Sequence, residues 1–512
     1  MGIFSNIIKH HKTSRGLTGL GGGRWGKVPQ PPQWYSSSTQ LCGIYPFSAG
    51  TSRPNVGTPL GRDMNVNTAV CGDMKTWYDA GLISSPSMML FGLNGNGKSS
   101  MALRFMYSMA ARGIIPAAFD PIKNEYGEAI EAIGGNRFSF GPGKPDHING
   151  LDLGSLGDAA AEIGGEIGDQ LYALAIDKAV DTVILFTQIN RGSNKPLSDI
   201  EETVLEELVK VVIHTVKDPW MPDLLQAFDH VPPDVLEISG CDTATAFHAE
   251  FKGLGQSLQA LIKGRMGALL LGRKSVRIPL GNPGGFCFDT SSIPESNSKM
   301  LSAAMLGTWN IGFSAMDAHW ELAEFERRKA AEAAACGDFY EPKMRWGSYF
   351  AIQDEFWYPM RACEGIIDRA DRVGRTNRGQ GVSELKITHS PKDFLSLPNA
   401  KDRETAKGFA QRCGMLGLMA LTLDDLDALS AVQPLNAREV ATVAGFNVPP
   451  SWAQKPAADG SPTPPPGAGK ILLKVPGRVG IAVQMTLTQI EDEKHVTDAR
   501  SRISTTPESL VA

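Results

Sequence analysis

What this sequence lacks narrows it first. Its seven cysteines (Cys42, Cys71, Cys241, Cys287, Cys336, Cys363, Cys413) include no C-x-x-C pair. Neither a disulfide framework nor a zinc knuckle is written here, and the odd number suits a reducing cytosol. No run approaches the roughly 20 apolar residues that a membrane span needs. The opening stretch, Met1 to Lys12, is too short and too interrupted for a signal-peptide core. Positive charge is not in excess: 50 Lys and Arg against 55 Asp and Glu leave a net charge of −5. That excludes coating nucleic acid through bulk charge and leaves room for a local basic patch or pore. No internal repeat is present. What remains is ordinary globular composition, 42% hydrophobic and 21% charged over 512 residues. At about 150 residues per domain the length suits two to four domains. Glycine is the surplus, 55 residues, which predicts tight turns and close backbone approaches to ligands.

Residues 1–60 show no clear periodicity. Glycines from Gly19 to Gly26, a cluster of Pro29, Pro31 and Pro32, and scattered Lys9, Lys12, Arg15, Arg24 and Lys27 predict an irregular basic arm. Gly21-x-Gly23-x-x-Gly26 spells a dinucleotide fingerprint, but no apolar strand precedes it, so it reads as accidental. From Ser87 the text changes. Met88–Phe91 is a short apolar run, a glycine-rich turn follows, a helix is expected over about 98–111, and a second run from Ile114 to Phe119 ends at Asp120-Pro121. That is a βαβ unit with a buried parallel sheet. Residues 156–280 read as mainly helical. Ser198 and Glu201 form a capping box, followed by a stripe of Val204, Leu205, Leu208, Val211 and Val212. A second stripe holds Phe247, Phe251, Leu254, Leu258 and Leu261 and, like the first, is read as core of a helical domain.

Short apolar runs then return and end in polar residues: Phe286–Phe288 at Asp289, Tyr349–Ile352 at Gln353-Asp354-Glu355, and Leu385–Thr388 at His389. Parallel strands deliver side chains to a ligand crevice in this way. A polar helix over about 321–335 is expected on the surface. The fold class is therefore α/β, with a mainly parallel sheet interrupted by an all-helical subdomain. The expected division is an arm over 1–60, core over 61–155, helical insertion over 156–280, core again over 281–448, a Pro-rich linker over 449–469, and a closing hairpin with polar tail over 470–512.

The chemistry starts at Gly92-Leu93-Asn94-Gly95-Asn96-Gly97-Lys98-Ser99, which fits G-x-x-x-x-G-K-[ST], the Walker A pattern, at every fixed position. A random chain of this composition contains the pattern about 4 times in 100, and the flanking strand and helix make an accident rarer still. Glycines let backbone N–H groups turn inward as an anion nest, and the helix dipole begins there. Gly92, Asn94, Gly95, Asn96, Gly97, Lys98, Ser99 and Ser100 are the candidate ATP-binding residues. Lys98 would reach the β and γ phosphates and Ser99 would hold Mg2+.

A second acid for the metal is expected at Asp354, the Walker B position, with Glu355 beside it polarising the attacking water. In an extended segment the two side chains diverge and take separate roles. Asp289 and Asp120 are runners-up for the metal. Hydrolysis also needs positive charge on the γ-phosphate, often an arginine from a neighbour. The segment Arg369, Arg372, Arg375, Arg378 is the candidate source. His389 is a candidate sensor of the γ-phosphate.

Together these residues resemble the ATPases of conjugation and type IV secretion systems (VirB/Tra-type), specifically the large cytoplasmic assembly ATPase, a family placed with the DNA-pumping hexameric ATPases of HerA/FtsK type. Besides Gly92–Ser99, the segment Asp120-Pro121-Ile122-Lys123-Asn124-Glu125-Tyr126 is similar to the family's D-P-K-G-E-Y strand end. Phe288-Asp289, Asp354-Glu355-Phe356-Trp357 and Thr388-His389 through Asp393 match as well. Ile122 and Asn124 depart from the usual residues, and many members carry glutamine where His389 stands. The resemblance covers about residues 40–490 and implies that the α/β part is a RecA-like P-loop NTPase core. It implies that Lys98 and Ser99 serve phosphate and Mg2+, that Asp354 and Glu355 are metal acid and catalytic acid, and that Arg375 or Arg378 acts in trans. It implies a ring homo-oligomer, a hexamer in that family. Secretion-channel subunits or DNA would be partners, in the cytoplasm or peripherally at the inner face of the membrane. The family's large N-terminal domain is expected to be missing. Two other readings stay open: a HerA/FtsK-like double-stranded DNA translocase, and a nucleotide-binding switch or scaffold with little hydrolysis.

Overall fold

The computed structural model describes residues 54–192, 195–361, 381–395, 397, 400–447, 465–489 and 491, and the backbone of 11–13 and 16–18. The chain forms two units, Met1–Ser52 and Arg53–Ala512. In the first, strand β1 (His11–Thr13) pairs antiparallel with β2 (Gly16–Thr18).

The second unit is built on one sheet, eleven strands among the described residues. In chain order these are β3 (Pro59–Asp63), β4 (Ala69–Cys71), β5 (Ser87–Phe91), β6 (Ile115–Asp120), β7 (Asn136–Ser139) and β8 (Phe286–Asp289). They continue with β9 (Tyr349–Gln353), β10 (Val382–Thr388), β11 (Met415–Leu418), β12 (Lys470–Lys474) and β13 (Ile481–Gln484). Across the sheet the order is β4-β3-β13-β12-β11-β5-β10-β9-β6-β8-β7. From β11 to β7 all neighbours run parallel. The expected closing hairpin, β12 and β13, extends this core antiparallel, and β3 and β4 complete the edge.

Every residue of β5, β6, β8, β9, β10 and β11 is buried, as a sheet covered on both faces requires. Strand β10 begins at Val382, earlier than its apolar part suggests, because Ser383, Glu384 and Lys386 are buried in it. Glu384 and Lys386 share a face and form an ion pair, which makes burying both charges tolerable.

Helices α1 (Met74–Asp79), α2 (Lys98–Ala110) and α3 (Gly127–Ala132) lie in the first core part. The helical subdomain follows: α4 (Gly154–Ile163), α5 (Gly165–Arg191), α6 (Asp199–Thr215), α7 (Met221–Asp229), α8 (Pro233–Ser239), α9 (Ala244–Glu250), α10 (Lys252–Lys263) and α11 (Gly267–Leu270). The capping box opens α6, with Ser198 N–H donating to Glu201 at 3.0 Å. On α6 the inward stripe is Val204, Leu205, Leu208, Val209, Val212 and Ile213, whereas Val211 is half-buried. The second stripe is divided between α9 and α10 at Phe251, and all five of its residues are buried.

The polar helix expected over 321–335 is the far end of α12 (Ser298–Ala335), 38 residues long. Its first two-thirds, from Met300 to Ala323, are largely buried, against the sheet near Phe119 and against α4 and α5 beyond it. Gly312 makes this possible, since a Cβ there would come within 2.8 Å of the Phe119 ring. Phe313 then stacks on Phe119 at 5.5 Å. Each large apolar side chain buried this way stabilises the fold by about 1.5–3 kcal/mol. Among the described residues no helix is long and apolar enough to cross a membrane.

Candidate functional site

The phosphate loop leaves β5 at Phe91 and enters α2 at Lys98. Gly95 and Gly97 take left-handed backbone (φ 80° and 95°), a conformation glycine adopts without strain. Gly92 has no room for a side chain, because a Cβ would stand 2.8 Å from Met419 Cβ. The loop is braced from behind: Gly92 N–H donates to His389 O at 3.3 Å and Leu93 N–H to Ala420 O at 3.0 Å. Asn96 is buried, and its side-chain amide donates to Leu93 O at 3.2 Å and Asn94 O at 3.3 Å, so its side chain holds the loop's shape. Asn94 and Gly95 are exposed at the tip, and Ser99 and Ser100 stand half-buried in the first turn of α2.

Pro465–Gly469, the described end of the Pro-rich stretch, lies against this loop. Gly469 N–H donates to Asn96 O at 3.1 Å. Gly467 is packed so closely that a Cβ would lie 1.8 Å from Phe446 O. Gly467→Ala is expected to destabilise the protein by about 1–3 kcal/mol through overpacking. The check is a lower urea midpoint at unchanged slope. An unchanged midpoint would show that the strap yields freely.

The order of strands assembles the rest. Strand β10 stands between β5 and β9, so the residue that follows β10 lies between the phosphate loop and the two acids. That residue is His389. Lys98 Nζ donates to Gly92 O at 2.7 Å and approaches His389 Nδ1 at 3.0 Å. On the other side of the ring, His389 Nε2 lies 2.9 Å from Glu355 Oε1. An ammonium has no acceptor, so Nδ1 accepts and the tautomer assigned by this pattern donates Nε2–H to Glu355. Burial draws Lys98 below its ordinary pKa, against the pull of Asp354 and Glu355.

Strand β9 ends at Gln353, and the acids follow in a turn. Glu355 has φ 48°, a conformation that costs a non-glycine residue energy. Its N–H donates to Asp354 Oδ1 at 2.9 Å. The divergence of the two side chains, expected from strand alternation, therefore comes from this left-handed turn. Burial raises the pKa of Glu355, but His389, the Trp357 indole N–H at 2.8 Å and Lys98 outweigh it and keep the carboxyl below its usual value. Asp354 goes the other way. Loss of water, then the charges of Glu355 and Glu125, push it up to about 7. The buried Tyr126 hydroxyl donates to its Oδ2 at 3.2 Å.

Beside Asp354, Gln353 Oε1 and Glu125 Oε2 are buried acceptors without a hydrogen-bond partner among the described residues. Hard oxygen donors with unmet lone pairs suit Mg2+ or its water shell. Ser99, half-buried in the first turn of α2, and Asp354 are the residues that would hold the metal or its water shell. Among the described residues no three His, Cys, Asp or Glu form a cage. The runners-up are engaged elsewhere. Asp120 accepts Tyr126 N–H at 2.9 Å, and its pKa is raised by burial and by Asp354. Asp289, a strand further away, is paired with Arg137 and held below its usual range by Ser291 and Arg137 against burial. Arg369, Arg372, Arg375 and Arg378 lie outside the described residues. The sequence reading assigned no role to Glu125, Tyr126 or Trp357, although all three stand in the segments that carry the resemblance.

No family model matches the chain, and no curated protein matches it. Solved structures do. VirB4 of Thermoanaerobacter pseudethanolicus superposes with a TM-score of 0.55 at 16% identity, covering 86% of this chain and 99% of that one. The bacterial conjugative coupling protein TrwB, lacking its first 70 residues and unbound, gives 0.45 at 13% identity over 79% of this chain and 85% of its own. Its complex with ADP and Mg2+ also gives 0.45 at 13%. The chain thus shares its fold with VirB4, the RecA-like α/β fold expected from the sequence.

Proposed function

We propose that this chain is the ATP-hydrolysing motor of a conjugative or type IV secretion-like transfer machine, coupling hydrolysis to macromolecule transport or machine assembly. One observation carries the chemistry: Lys98 on the phosphate loop reaches Glu355 through His389, with contacts of 3.0 and 2.9 Å. The fold shared with VirB4 and the matching motifs support the transfer context.

In this reading the amides from Asn94 to Ser100 and the start of α2 cradle the β and γ phosphates. Ser99 and Asp354 would hold Mg2+, which supplies positive charge to the phosphate oxygens. Glu355 accepts a proton from the water that attacks the γ-phosphorus, and the bond to the β–γ bridging oxygen breaks, leaving ADP and phosphate. As Lys98 turns to a phosphate it leaves His389, and the ring that touches Glu355 registers the change. Arg375 or Arg378 of an adjacent subunit would complete the site, which calls for a ring, a hexamer by the resemblance. Channel subunits or DNA would be its partners, with peripheral contact at the membrane.

The test is phosphate release by the full chain with and without duplex DNA. Turnover that changes less than about twofold with DNA supports the secretion reading. Stimulation of tenfold or more moves the assignment to a double-stranded DNA translocase. No turnover at all leaves a nucleotide switch or scaffold.

A further inference from the structure

The loop after β9 does more than present two acids. Phe356, next to Glu355, is rooted in the core: its N–H donates to Ile387 O of β10 at 2.9 Å, and its ring stacks on Trp309 at 5.6 Å and meets Phe409 edge-on at 5.1 Å. Trp357 then turns back so that its indole N–H donates to Glu355 Oε2 at 2.8 Å. The Arg361 guanidinium lies over the Trp357 ring at 4.2 Å and 3.7 Å from Asp393 Oδ1. Asp393 in turn accepts from Thr388 Oγ1 at 3.1 Å and Ser390 N–H at 3.0 Å, the two residues that flank His389. The contacts close a circuit from Glu355 through Trp357, Arg361 and Asp393 to the end of β10 and, through His389, back to Glu355.

We infer that Trp357 is a positioning residue that fixes the Glu355 carboxylate, and that Arg361 and Asp393 fasten Trp357 to the end of β10, so that base and histidine keep one geometry. This rests on the ATPase reading above. With His389 on one oxygen and Trp357 on the other, both carboxylate oxygens are directed, and the left-handed turn at Glu355 is held from outside itself. Ring face and N–H do separate work: the face is clamped by a cation, and the N–H aims the base. A base out of position by about 1 Å can cost a hundredfold in rate.

Trp357→Phe removes the N–H and keeps an aromatic face, and Arg361→Ala uncovers the indole. The readouts are steady-state turnover by the full chain and the Kd of a fluorescent ATP analogue with Mg2+. Trp357→Phe should turn over at least tenfold more slowly and Arg361→Ala about threefold or more, each with a Kd within twofold of the parent. Turnover within twofold of the parent in either variant overturns the clamp. So does a loss of turnover matched by loss of affinity, which would mark a merely structural role. The ATPase reading fails differently, by parental turnover in Glu355→Gln or Lys98→Ala or by none in the parent, and the inference falls with it.

Discussion

Glu355→Gln is expected to lower ATP turnover by about 10²–10⁴-fold, the range that a positioned general base supplies, and to leave nucleotide affinity within about twofold. The substitution preserves size and removes the proton-accepting charge. Affinity is spared because Glu355 stands across His389 from the phosphate loop, 2.9 Å from that ring. The two donors that converge on the carboxylate add a second consequence. Trp357 N–H and His389 Nε2–H each require an acceptor, whereas an amide offers one oxygen and one NH2 group. His389 cannot reverse its tautomer while Lys98 donates to Nδ1. One half-buried donor is then left facing an NH2, at a cost below that of a fully buried one, about 1–3 kcal/mol. A modest fall in thermal midpoint should therefore accompany the loss of turnover. Phosphate release and equilibrium titration with an ATP analogue measure the two quantities. Turnover within threefold of the parent would sink the assignment of Glu355.

Lys98→Ala is expected to weaken nucleotide binding by about 10- to 150-fold, since a hydrogen bond from a charged donor is worth about 1.5–3 kcal/mol. Turnover at saturating ATP falls further, because the same ammonium opposes charge that develops as the γ-phosphoryl group departs. The lysine is already arranged for this. Burial works against its charge, the neighbouring carboxylates sustain it, and Gly92 O at 2.7 Å holds it at the mouth of the loop. Titration in the presence of Mg2+ checks the affinity. Affinity and turnover both equal to the parent's would place the phosphates elsewhere.

The two substitutions separate binding from chemistry. Lys98→Ala should fail in both, Glu355→Gln in chemistry alone. The same pattern read in Trp357→Phe, with turnover lost and affinity kept, ties the tryptophan to the carboxylate instead of to the loop.

The phosphate loop was legible in the sequence because it is contiguous. Its glycines, its lysine and the start of α2 are bound to one another by local backbone geometry, so spacing along the chain is spacing in space. Strand-ending acids were legible for a related reason: parallel strands buried on both faces read as apolar runs, and the residue after each run must emerge at the sheet's rim. The same rule hid half of β10, where Glu384 and Lys386 are buried as a pair and imitate a polar segment. The first part of α12 was hidden too: its Ala303, Ala304, Gly307 and Gly312 look like no amphipathic face, yet Gly312 lets the helix reach Phe119 and Gly307 leaves room for Ile148 and Phe186.

By itself, then, the sequence determined the glycine-rich loop with its lysine and which acids stand at strand ends. Only the tertiary structure decided which of those acids the lysine meets. That choice depends on β10 lying between β5 and β9, with Asp120 and Asp289 on strands further out. Strand order follows from the packing of residues hundreds of positions apart and leaves no mark in the spacing of any motif. The partners of Glu355 were settled at the same level: a left-handed residue, an indole that turns back, and a histidine from a different strand become neighbours only once the sheet has formed.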